Sequence, residues 1–158
     1  MAVNREAIFN ALQNRLQNVA GIVTPCSRTW QSYADTPPEQ QPAMFLATGN
    51  EKASGDRHQP TTWTLFPRLI VYNRHDADPS AIPSAIQHTI LQAVEAALEM
   101  TPGEAALNGP FANDGQQPHT TLGGLVASCR IFGTVQKDEG LFQAQGILEI
   151  PLEIITTA

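Results

Sequence analysis

Lysine is nearly missing from this chain: of 158 residues only Lys52 and Lys137 are lysines, and the net charge is −6. Gripping a phosphate backbone takes several positive charges on one face, and no such cluster occurs. That argues against strong DNA or RNA binding, and against a polybasic membrane patch for the same reason. Charge of either sign is scarce, at 15% against the usual quarter of a soluble chain. Gln, Asn, Thr and Ser fill much of the remaining polar surface, a texture compatible with repeated contacts between subunits. No run approaches the roughly 20 apolar residues of a membrane span. The opening residues Met1 to Arg5 lead straight into an amphipathic pattern, without the apolar core of a signal peptide. Cysteine is limited to Cys26 and Cys129, which lie far apart and outside any C-x-x-C motif. The expected state is two reduced, packed thiols; a disulfide between them is geometrically possible but has no support in the sequence.

Motifs of known chemistry are also missing. There is no G-x-x-x-x-G-K-[ST]: the stretch Gly49-Asn50-Glu51-Lys52-Ala53-Ser54-Gly55 shares only its glycines, and Glu51 would repel phosphate. No G-x-S-x-G elbow, H-E-x-x-H helix or G-x-G-x-x-G turn is found. Each of these motifs serves a geometric need that composition cannot replace.

What the chain does contain is a 42% hydrophobic composition, enough for one globular domain spanning 1–158 with a real core. The first helix is expected over Arg5–Val19, capped by Asn4, with Ile8, Phe9, Leu12, Leu16 and Val19 on one face and Gly21 as its end. The β-formers Thr29, Trp30 and Tyr33 suggest a strand from Ser27 to Tyr33, and Asp35-Thr36-Pro37-Pro38 a turn. Ala43 to Thr48 is apolar throughout and fits a central strand. Residues 49–60 read as a polar loop leading to a third strand, Thr61 to Asn73, with a bulge or an edge position at Pro67.

Ile82, Ile86, Ile90, Val94 and Leu98 recur every four residues, widened by Ala93 and Ala97, and mark the second helix. With Ser80 as cap, Pro83 falls in the first turn, where no N–H is needed; Thr101-Pro102-Gly103 ends the helix. Residues 104–121 read as one long Gly-, Pro- and Asn-rich connection. The remainder is a long hairpin. Its first arm carries Leu125, Ala127, Cys129, Ile131 and Val135 on one face, and its turn is Lys137-Asp138-Glu139-Gly140. Its second arm points Phe142, Ala144, Leu148, Ile150, Leu152 and Ile154 inward, and Gln143, Gln145, Glu149 and Glu153 outward. The expected fold is α+β: two layers, a mixed but mostly antiparallel sheet with two helices on one face, in the order α-β-β-β-α-β-β.

His75, Asp76 and Asp78, with His88 as a further candidate, form the nearest thing to a metal-ligand cluster. The two aspartates also precede a helix, whose dipole favours negative charge there, and this structural reading is preferred. His58 and His119 have no companion at ligand spacing and read as solvated loop residues. Asp138 and Glu139 belong to a hairpin tip, and Glu149 and Glu153 to a wet strand face whose role is solvation. Trp30, Tyr33, Trp63 and Phe66 could build a ligand-stacking wall, although strand aromatics more often serve cores and interfaces. No residue is assigned a catalytic, cofactor-binding or metal role.

Three stretches carry a family resemblance. They are the opening helix Arg5-Glu6-Ala7-Ile8-Phe9-Asn10-Ala11-Leu12; the run Pro67-Arg68-Leu69-Ile70-Val71-Tyr72 with the helix Ala85 to Met100 after it; and the closing hairpin from Gly124 to Ile155 with Gly133-Thr134-Val135. In element order, length and texture the chain resembles the tail terminator proteins of tailed bacteriophages, also called minor tail or tail completion proteins. The resemblance implies a non-enzymatic structural protein without cofactors, with no catalytic residues to transfer. It implies a homo-oligomeric ring, usually a hexamer, that caps the finished tail tube, stops its polymerisation and presents a surface to the head connector. Its partners would be copies of itself, the tail tube protein and a connector or neck protein. Its location would be the host bacterial cytoplasm during assembly and then the virion tail. Another head–tail joining protein is the neighbouring alternative. A small enzyme or ligand-binding domain built on the aromatic residues and the His75 region is a third, and it requires a concave pocket with convergent polar groups.

Overall fold

The computed structural model describes residues 2–74, 80, 82–108, 119–140 and 145–158. Helix α1 (Arg5–Leu16) begins as its sequence predicts: the Asn4 side chain accepts the Ala7 N–H at 3.1 Å. It ends three residues earlier than expected. The chain turns at Gln17, whose side-chain amide donates to the Cys26 carbonyl at 2.8 Å, while Val19 still reaches the core from the turn.

Strand β1 (Thr24–Ser27) lies upstream of the stretch expected to be extended. Tyr33–Asp35 and Pro38–Gln40 are instead short 3-10 turns. Tertiary contact overrides β-propensity here: the Tyr33 ring meets the edge of Tyr72 at 5.2 Å, and its hydroxyl donates to Gln41 Oε1 at 3.2 Å. Strand β2 (Ala43–Ser54) runs well past the predicted Thr48, through half of the supposed loop. Strand β3 (Thr62–Arg74) matches its prediction within a residue. The bulge expected at Pro67 is present, but the extra residue sits on the neighbouring strand. Ala47 pairs with Arg68 and Asn50 with Phe66, so Thr48 and Gly49 together face Pro67.

Helix α2 (Pro83–Ala97) has Pro83 at its first position, but its cap residue is Ile82, not Ser80. Proline's fixed φ suits that position, so the start needs no side-chain cap. Helix α3 (Pro102–Asn108) corrects the reading of residues 104–121 as pure connection. The first arm of the closing hairpin is broken into β4 (Ser128–Ile131) and β5 (Gln136–Asp138), both antiparallel to β6 (Gln145–Thr157). Before β4 the expected alternation fails: Leu122 and Val126 are buried, whereas Leu125 is 48% exposed. Phe142, Gln143 and Ala144 lie outside the described residues.

The sheet order is β1-β2-β3-β6-β4, with β5 also on β6; β1 and β2 are parallel and the other pairs antiparallel. The fold is α+β, with three α-helices among the described residues in place of the two expected. Ile8, Leu12 and Leu16 of α1 and Ile90 and Val94 of α2 share one core with Leu69, Val71, Leu148, Ile150 and Ile154, placing both helices on the same sheet face. The alternation read in β6 is therefore the register that feeds this core. Part of the opposite face is not wet: Ala43, Phe45 and Tyr72 form a second small cluster, covered by Tyr33 and Ile70. No described helix is long and apolar enough to cross a membrane.

Candidate functional site

The aromatic residues weighed as a stacking wall are dispersed. Trp30 is 59% exposed just beyond β1, and Tyr33 lies over Tyr72. Trp63 sits beneath the Arg5 guanidinium, 4.5 Å from the ring centroid, and Phe66 lines a different hollow together with Phe132 and Pro151. His75, Asp76 and Asp78 lie outside the described residues. His88 is exposed on α2, with Nε2 3.1 Å from Lys137 Nζ, and His58 is exposed in the loop after β2. Among the described residues no group of three His, Cys, Asp or Glu side chains is placed to hold a metal ion.

Cys26 and Cys129 stand on β1 and β4, at opposite borders of the sheet, and both are free and buried. Burial pushes each thiol up to about 12. Glu149 and Glu153 do more than meet solvent. Arg68 donates to Glu149 at 2.8 Å, and Arg130 grips Glu153 through Nη2 at 2.9 Å and Nε at 3.1 Å, leaving Glu153 only 8% exposed. These are cross-strand ion pairs on the sheet face away from the helices. Asp138 ends β5, and its carboxylate accepts the Gly140 N–H at 2.8 Å, which closes the turn.

Two buried polar groups escaped sequence reasoning. Glu104, on α3, is 5% exposed and ion-paired with Arg15 of α1; it accepts the Thr120 hydroxyl at 2.7 Å and the Thr121 N–H at 3.1 Å. Burial alone would raise its pKa. The bonds from Thr120, Thr121 and the Gly123 backbone, with the Arg15 charge, outweigh that and hold it below the ordinary 4.5. Thr120 in turn forms an antiparallel bridge to Cys129, so this ion pair secures the segment covering the outer border of β4. The second group is Gln87, fully buried on α2, whose amide donates to Asn73 Oδ1 at 3.1 Å and to the Asp138 carbonyl at 2.8 Å. Both groups fasten elements together.

The outer part of β2 and the loop after it form an exposed border of the sheet. Residues 48–60 are all exposed, yet β2 and β3 stay paired out to Ser54 and Thr62. Where β1 leaves β2, an open groove of about 690 Å³ lies along Leu46, Ala47, Thr48 and Gly49, with Trp30 on its far wall. Neither a protein-family model nor a curated protein matches the chain. The geometry defines an α+β protein with an exposed, one-sided strand border at residues 48–54 and a groove beside its start.

Proposed function

We propose that this chain is a structural assembly protein of a tailed bacteriophage that acts as tail terminators do: copies form a ring on the end of the finished tail tube, stop its growth and offer a surface to the head connector. The observation that carries the reading is the outer part of β2, residues 48–54. It stays paired to β3, which lies inside the sheet against β6, yet it is exposed throughout and adds nothing to the monomer's own core, as an element used between subunits would. The helices on one sheet face and the ion-paired opposite face support the same role. The acidic balance, −6 overall, suits a passage through which DNA slides without adhering. In this reading the partners are copies of the chain, the tail tube protein and a connector or neck protein. The sites of action are the host cytoplasm during assembly and the virion tail afterwards.

The deciding experiment adds purified protein to polymerising tail tubes. Tubes that stop at a fixed length, each with density from this protein at one end, are the expected result. Tubes that lengthen unchanged, with a chain that remains monomeric at all concentrations, would overturn the reading. Density found against the portal instead would place the chain among neck proteins.

A further inference from the structure

Strand β2 is paired on both sides only where β1 lies against it, and the last pair on that side is Ser27 with Phe45. Past Phe45 it continues to Ser54 with β3 as its one partner among the described residues. Residues 48–54, about 23 Å of extended chain, thus present an open border where roughly every second residue turns its N–H and C=O outward. The other borders of the same sheet carry the usual protections. β1 is four residues long and contains Pro25, β5 is three residues long, and Thr120 bridges the outer side of β4. Among the described residues only the β2 border is both long and uncovered, and the groove lined by Ala47, Thr48, Gly49 and Trp30 leaves room beside its start.

Charge indicates what fits there. Across residues 48–60 Lys52 and Arg57 balance Glu51 and Asp56, although the whole chain carries −6. Arg5, which donates to Glu51 at 2.7 Å, adds one positive charge to this border. The border is therefore slightly cationic on an acidic molecule, and a second copy offers it a surface of opposite sign.

We propose that residues 48–54 form the joining edge between copies: the β2 border of one chain adds an extended segment of another copy to its sheet, with the slightly cationic border drawn to that copy's acidic surface. This rests on the ring-forming reading above and names the surface that would build the ring. Such a join is heterologous, with one patch meeting a different one, as a closed ring requires.

The test follows the mass of the intact protein across concentration while hydrogen exchange is read peptide by peptide. Association should slow exchange about tenfold or more at residues 50–54, together with one further segment of the same chain. The double variant Lys52→Glu/Arg57→Glu leaves the backbone intact. It should weaken association about tenfold or more at low salt, with a smaller difference near about 0.5 M salt. Association that leaves residues 50–54 exchanging at monomer rates overturns the inference while the ring reading survives. So does a chain that stays monomeric yet arrests tubes, and so does protection that needs added tube protein. A monomeric chain that also fails to arrest tubes overturns both.

Discussion

Arg15 and Glu104 stand 89 positions apart in the chain and meet as a largely buried ion pair, tying α1 to α3 and to the strap that bridges β4. Breaking one side of such a pair leaves the other charge without its counterpart. Glu104→Ala also strands the Thr121 N–H, so chemical denaturation should show a loss of about 2–4 kcal/mol. Glu104→Gln keeps the shape and one acceptor oxygen and should lose about half as much. The carboxylate's folded pKa is depressed, so its contribution is fully present above the ordinary value near 4.5 and disappears as pH falls through the lower folded value. The stability gap between wild type and Glu104→Gln should therefore be constant at neutral pH and narrow below about 4.5. A gap that is the same at pH 3 and pH 7 would contradict the assignment.

This pair also illustrates where sequence reasoning stops. Ile90 and Val94 on α2 with Leu98 at its C-cap, and Leu148, Ile150, Leu152 and Ile154 on β6, announce their buried faces by period alone, because local geometry decides which way each side chain points. Glu104 carries no such local sign; only the folded chain brings Arg15 to it. Thr29, Trp30 and Tyr33 mislead in the opposite direction. Their β-propensity is real, but Tyr33 gains more from the edge of Tyr72 than from a ladder. The second half of β2 stays hidden for a third reason: residues 48–54 are exposed on both faces, so their pattern never alternates. This outer part of β2 is thus the least legible part of the candidate surface, because its sequence from Gly49 onward reads as a polar loop.

Both thiols should be silent in the native protein. With the pKa of Cys26 and Cys129 pushed up to about 12, roughly one thiol in 10,000 is ionised at pH 8, and both side chains are shielded from reagent. A maleimide or disulfide reagent should label neither residue on the native chain, and both once denaturant unfolds it. Oxidants should fail to join them, because β1 and β4 lie at opposite borders of the sheet. Rapid labelling of either cysteine under native conditions would show that its strand opens locally and that the border is not closed as described.

Gly49 fixes the shape of the joining edge. It sits in the bulge opposite Pro67 with φ +66°, and a Cβ there would overlap the carbonyl oxygen of Phe66. Gly49→Ala meets two penalties together: a left-handed backbone and a clash with main chain that cannot swing aside. A loss of about 2–3 kcal/mol is expected. Gly124→Ala is the control. Its φ of +90° is also positive, but the space around it is open, so only the backbone cost of about 1 kcal/mol applies. The two variants should differ in where they act as well as in how much. Gly49→Ala disturbs the register of β2 beyond Ala47, so its amides from residue 50 to 54 should exchange faster in the monomer, whereas Gly124→Ala should leave them unchanged. Equal losses from the two substitutions, with no change of exchange in residues 50 to 54, would mean that the bulge yields to a side chain and does not set the edge.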